Sequence, residues 1–270
     1  MKKTLVQFYR VSMLVWLLLI FFSFPVNAEY RNGIPVLLYH HVTDDNTDLP
    51  KLTVSDAEFE RQIHLLRANG FETISLDSLL AFMKNEQVKL PEKPILITFD
   101  DGYEDNYTNA FPILKKYGYT ATIFMVGINF DRQERLSSQE INEMITNGFT
   151  VGGHSMTHRD LRQLTGSELS REVYGSKRKA EQVTHTDVNF FAYPGGFCNV
   201  ATLEAVKGAG YAGAFTVLTG LNNPANDNVY FMRRIPIFSS TDFDKLLALL
   251  NANHPKTSLL DYDSEKDDEY

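Results

Sequence analysis

"ILITFDDGY", residues 95–103, runs from an apolar, strand-like stretch straight into two adjacent aspartates and a glycine. Two like charges at the end of a buried strand cost desolvation and mutual repulsion unless a cation sits beside them. The stretch therefore predicts a metal or a basic partner elsewhere in the chain. Around it, strand-like runs at 35–39, 71–76, 94–99, 120–126, 149–152, 190–193, 211–217 and 229–238 alternate with helical patterns. Several of the runs are apolar throughout, as parallel strands buried on both faces tend to be. The segment 55–69 places Phe59, Ile63, Leu65 and Leu66 at helical spacing and stops at Gly70. Ser137 before Glu140 and Thr165 before Glu168 have the spacing of a capping box. Such alternation predicts an α/β fold with a mostly parallel sheet, doubly wound or closed into a barrel, whose site lies at the carboxyl ends of the strands. Gly102 would let the chain turn there, so that both aspartates reach the mouth.

The ends of the chain bear on its compartment. Lys2, Lys3 and Arg10 precede an apolar run from Val11 to Phe24, and Val26-Asn27-Ala28 has the small residues of a signal-peptidase site. Residues 1–28 are expected to be a signal peptide. The run is about 14 residues, short of the roughly 20 of a spanning helix, so no stable membrane span is expected after cleavage. The expected location is secreted or extracytoplasmic, in the periplasm, cell wall or cell surface. Cleavage removes three cations and takes the formal net charge from -8 to -11, which argues against a nucleic-acid partner. Residues 29–254 show no linker and are expected to form one catalytic domain, a monomer. The stretch "DYDSEKDDEY", 261–270, reads as part of an acidic tail over 255–270. Cys198 is the only cysteine and has no partner in the chain.

The cationic partner is predicted by "GGHSMTHRDL", residues 152–161. His154 and His158 stand four apart at the end of a strand-like run, a spacing that brings two imidazoles to one side of a compact turn. Two glycines before them allow close backbone packing. Together with one strand-end carboxylate they make two His and one Asp, a donor set typical of catalytic zinc with a position left open for water.

With "TFDDG" at 98–102, "HSMTH" at 154–158 and "FAYPGG" at 191–196, the chain resembles the polysaccharide deacetylases of carbohydrate esterase family 4 over roughly residues 34–250. The resemblance implies a distorted (β/α)7-type barrel in which Asp101, His154 and His158 bind a divalent metal, usually zinc, and Asp100 is the catalytic base. It also implies an acetylated amino-sugar polysaccharide as partner, losing its N-acetyl groups. The chemistry agrees: an amide carbonyl is a poor electrophile, and its hydrolysis needs an activated water, a base for the water's proton, a stabilised oxyanion and an acid for the leaving amine.

Two departures from the family pattern stand out. Ala192 occupies the place of the arginine that tunes the catalytic aspartate, and the late His254, in "NANHP", lacks the Leu-x-His context of the family's acid. "IPVLLYHHV", 34–42, instead sets His40 and His41 at the end of the first strand. With "FAYP", this opening resembles the branch acting on exported poly-N-acetylglucosamine, where a first-strand histidine is the acid. His40, His41 and His254 are the candidates; alternation gives His40 the side of Leu38 and favours it. Arg233 and Arg234 are candidates for the displaced guanidinium. The resemblance also implies the backbone N–H of Tyr193 as oxyanion donor, and Tyr103, Tyr107, Phe130 and Phe197 are candidate stacking faces for sugar rings. The other functions considered are an O-acetyl xylan esterase and a carbohydrate-binding pseudoenzyme, the latter argued only from the lost arginine.

Overall fold

The computed structural model describes residues 33–252. The expected signal peptide, the acidic tail and His254 lie outside the described residues. Ten strands are described: β1 Val36–Tyr39, β2 His41–Val42, β3 Thr53–Val54, β4 Phe71–Thr73, β5 Lys93–Asp100, β6 Thr122–Met125, β7 Thr150–Gly153, β8 Phe190–Ala192, β9 Gly213–Phe215 and β10 Ile235–Pro236. The α-helices are α1 Asp56–Ala68, α2 Leu76–Met83, α3 Phe111–Tyr117, α4 Ser138–Thr146, α5 Gly166–Thr184, α6 Val200–Gly208 and α7 Phe243–Ala252.

Seven strands follow the order β10-β1-β5-β6-β7-β8-β9, with β4 beside β5, and every ladder is parallel. The stretch 229–234 draws the two ends of the sheet together: Thr216 N–H donates to the Met232 carbonyl at 2.8 Å and Arg234 N–H to that of Leu218 at 3.1 Å. The result is the expected distorted (β/α) barrel. Parallel pairing sets every strand end at one rim. Tyr39 is level with Phe99, and Gly153 with both Met125 and Phe191, so His40, Asp100 and His154 emerge together.

Side-chain alternation divides the core. Ile95, Ile97 and Phe99 join the larger apolar cluster under the helices, while Leu96 joins a smaller one with Val36, Phe124, Phe190, Phe215 and residues of α2. The same period puts Thr98 and Asp100 on the side of Leu96. Emptying a site such as Phe99, fully buried, would cost about 3–5 kcal/mol.

The element boundaries depart from expectation where side-chain capping decides them. The run 71–76 ends as a strand at Thr73 because Ser75 caps α2, its hydroxyl accepting the Ser78 N–H at 3.1 Å. Ser137 and Glu140 form the expected capping box, but Thr165 makes no side-chain cap on α5. The small pair β2 and β3 was not visible in the periodicity, since each strand has only two residues.

Candidate active site

β5 delivers Asp100 to the rim, 2% exposed. Its carboxylate meets the expected cation in Arg234, itself fully buried, whose two terminal nitrogens donate to Oδ1 and Oδ2 at 2.7 Å each. Arg234 Nε donates to the Thr216 carbonyl at 2.9 Å, so the guanidinium fork is fixed by backbone. Burial works to raise the pKa of Asp100, but Arg234, with His154, overrides it and holds the carboxyl at about 2. Arg233 points elsewhere, to Asp227 at 3.0 Å. Of the two candidates for the displaced guanidinium, Arg234 is the one that reaches Asp100.

After Asp100 the chain turns through two left-handed residues, Asp101 (φ 73) and Gly102 (φ 72). A Cβ on Gly102 would lie 2.1 Å from Met125 Sδ, which leaves room only for glycine. The turn brings Asp101 beside Asp100 rather than onto the opposite face. Its Oδ2 accepts the Tyr103 hydroxyl at 3.1 Å, while Oδ1 lies 3.7 Å from His154 Nε2 and 3.5 Å from His158 Nε2. Burial, and secondarily Asp101, push the Tyr103 phenol pKa up, so it remains a donor.

His154 follows β7. The two preceding glycines are tightly enclosed: a Cβ on Gly152 would come within 2.3 Å of the Phe124 ring, and one on Gly153 within 2.2 Å of the Tyr211 hydroxyl. His154 Nδ1 donates to the Ala192 carbonyl at 2.8 Å, which leaves Nε2 as the ligand atom. Burial outweighs the neighbouring Asp100 and lowers the imidazole's pKa to about 4, so the ring is held in the neutral form that binds metals. The connection to His158 takes left-handed conformations at Ser155 and His158, and Ser155 Oγ accepts the His158 N–H at 2.9 Å. Glu172 of α5, buried, accepts the N–H groups of Met156 at 3.0 Å and Thr157 at 2.8 Å and the Thr157 hydroxyl at 2.5 Å. No feature of the sequence alone pointed to Glu172.

Ligand atoms of Asp101, His154 and His158 all lie within 4.8 Å of one another. One carboxylate, two imidazoles with Nε2 facing inward, and the second-sphere bonds from Tyr103 and to Ala192 fit a divalent cation of the zinc type.

His40 stands at the same mouth, 6% exposed, with its carbonyl held by Asn106 Nδ2 at 2.7 Å. Burial pushes its pKa down while Asp101 and Asp100 oppose the shift. His41 faces away: Nδ1 lies 2.5 Å from Asp105 Oδ2 and its ring packs on Tyr103 at 3.5 Å between centroids. Tyr193 corrects an expectation. Its N–H donates to the Phe215 carbonyl at 3.0 Å and its hydroxyl to that of Tyr230 at 3.1 Å, so that N–H is spent on the sheet and does not serve an oxyanion. Of the expected stacking faces, Tyr103 reaches the site. Phe130 and Tyr107 pack with the larger core cluster, and Phe197 lies under the Arg162 guanidinium at 4.1 Å. Cys198 is half-buried, and burial raises its thiol pKa to about 11, which keeps it protonated.

The polysaccharide deacetylase sequence profile matches residues 87–214, the stretch holding both aspartates and both histidines. The chain is 33% identical over 212 residues to YxkH of Bacillus subtilis (strain 168), a protein carrying a polysaccharide deacetylase name; the match covers 78% of this chain and 74% of that one. A poly-beta-1,6-N-acetyl-D-glucosamine N-deacetylase of Staphylococcus aureus (strain MSSA476) is 29% identical over 86% of this chain and 88% of its own. Among solved structures, the Streptococcus pyogenes deacetylase PplD in complex with acetate superposes with a TM-score of 0.74 at 27% identity, covering 81% of this chain and 98% of that chain. These likenesses, together with the parallel barrel and the Asp-His-His cluster at its rim, place the chain among the hydrolases. This chain belongs to the polysaccharide deacetylase family.

Proposed function

We propose that the protein is an exported, metal-dependent N-deacetylase of a glucosamine-containing polysaccharide, of the poly-N-acetylglucosamine type. The observation that carries this reading is the ionised Asp100, clamped by Arg234 and 3.7 Å from the Nε2 of His154, beside three convergent ligand groups. Asp101, His154 and His158 would hold a divalent cation, zinc by the chemistry of the donors. Such a cation supplies Lewis acidity, lowering the pKa of a water and polarising the amide carbonyl. Asp100, whose oxygens are not needed as ligands, would take the proton of the attacking water. His40, across the mouth, gives a proton to the leaving amine. Tyr103 keeps Asp101 oriented, and the buried surroundings of Asp100 and His154 exclude bulk solvent from the proton transfers.

The likeness to the S. aureus N-deacetylase supports this substrate class. The pseudoenzyme reading loses its one argument, because Arg234 occupies the role left open at Ala192. The test is acetate release by the purified, metal-loaded protein from poly-N-acetylglucosamine, peptidoglycan, chitin oligomers and acetylated xylan. Release from the first, abolished by chelation and restored by zinc, is expected; release from xylan alone would replace this reading with the O-acetyl esterase.

A further inference from the structure

Around His41 and Arg135, the two side chains that pack on the Tyr103 ring, the surface opens into a cleft of about 600 Å³, within the range of small-molecule sites. Five carboxylates line it: Asp45, Asp48, Glu104, Asp105 and Glu134. Against them stands one guanidinium, Arg135, whose charge lies over the Tyr103 ring at 4.0 Å. The cleft floor holds His41, only 7% exposed. Asp105 accepts, so His41 Nδ1 carries the proton between them, and Nε2 is the ring atom left facing the cleft. That Nε2 is buried without a hydrogen-bond partner; its nearest charged neighbour, Asp48 Oδ1, is 3.9 Å away. A buried ring nitrogen without a partner, in a cleft with five carboxylates and one guanidinium, calls for a ligand that is positively charged and carries groups able to hydrogen-bond that nitrogen. A neutral sugar hydroxyl would satisfy the nitrogen and leave the charge uncompensated. A divalent metal suits the cleft poorly, because its acids do not converge: among the described residues the close-set ligand group is Asp101, His154 and His158.

We infer that this cleft is a subsite for a protonated glucosamine residue of the polymer, an already deacetylated unit held one ring away from the reacting one. The inference rests on the N-deacetylase reading, since that reaction generates the cation. The Tyr103 ring, which contacts His41 on one side of the site and reaches Asp101 with its hydroxyl, places the two sugars as near neighbours on one chain. The enzyme would then work best beside units it has already converted, and would bind partly deacetylated chains in preference to fully acetylated ones.

The test is equilibrium binding to the zinc-loaded Asp100→Asn variant, so that no turnover intervenes, with β-1,6-linked N-acetylglucosamine oligomers either fully acetylated or carrying one free amine. At low salt the amine-bearing oligomer should bind about tenfold more tightly, the combined effect of several exposed ion pairs. Adding Asp48→Asn and Glu134→Gln, both exposed and tolerant of substitution, should remove the preference, whereas Asp187→Asn with Glu204→Gln, outside the cleft, should keep it. Equal binding of the two oligomers, persistence of the preference in the cleft variant, or its loss in the distant one would overturn the subsite. Acetate release by the native protein is measured separately, so a failed deacetylase reading and a failed subsite give different results.

Discussion

Arg234 and Asp100 form a buried bidentate pair, and their partnership sets the acid stability of the barrel as well as the ionisation of the proposed base. The unfolded Asp100 titrates near 3.8 and the folded one at about 2, so the pair contributes stability above the unfolded value and loses it as pH falls through the folded one. The shift corresponds to about 2 kcal/mol, fully present at neutral pH and lost between about pH 4 and 2. Arg234→Met should destabilise by about 3–5 kcal/mol in urea melts at pH 7, because it strands a buried carboxylate. Arg234→Met with Asp100→Asn should recover much of that stability and no activity; a double variant as unstable as the single would locate the loss in packing. The two aspartates should also separate in metal content. Asp100→Asn is expected to retain zinc and lose about 10²–10⁴-fold in kcat, as is His40→Ala, while Asp101→Asn loses the metal. Equal metal loss in both aspartate variants would refute the division. The sequence pointed to Asp100, Asp101, His154 and His158 because their chemistry and spacing are local. Arg234 was one of two candidates; the sign was there in Ile235 and Ile237, whose shared face sends Arg234 the other way, but its partner Asp100 shows only once the strands are paired. Tyr193 misled because a peptide N–H reveals its partner only once the strands are paired.

At the scale of elements, the loop between β7 and α5 sets where two histidines four apart, the proposed ligands, can point. Glu172 binds the two middle residues of that loop by three hydrogen bonds from a carboxylate 14 residues beyond His158. Glu172→Gln keeps the size but removes the charge and replaces one of the two acceptor oxygens by a donor. Its zinc dissociation constant should rise about 10-fold or more, as for other partners that orient ligands, with far-UV circular dichroism unchanged. Glu172→Asp, which keeps the acceptor charge, should restore part of the affinity; unaltered zinc binding in the Gln variant would assign Glu172 to helix stability alone. The parallel strands were legible from their apolar runs, and α4 from its capping box. The end of β4 was not, since an apolar residue after a strand reads the same whether it continues the sheet or starts a helix. Hydroxyl caps such as Ser75 decide between these outcomes, and β2 and β3 are too short to carry a period.

Across the whole molecule, the candidate metal site joins the ends of β5 and β7, which are already neighbours of β6 in one sheet. The large apolar cluster and the smaller one beside Leu96 and Phe124 owe nothing to the ligands. Metal binding should therefore add to a fold that exists without it, unlike small domains whose ligands are their core. A ligand that binds only the native state stabilises by mass action, about 2.7 kcal/mol at a hundredfold excess over its dissociation constant. For a chain of this size that predicts a rise of about 5–10 °C in the melting midpoint with saturating zinc. The chelated protein should keep its circular dichroism and a single cooperative transition, and lose acetate release. His154→Ala should melt at one temperature with or without zinc, because the ligand is gone while the strand end remains. A chelated protein that unfolds at room temperature would show that the cation organises the barrel itself. An identical midpoint in native protein with and without zinc would show that Asp101, His154 and His158 do not hold it.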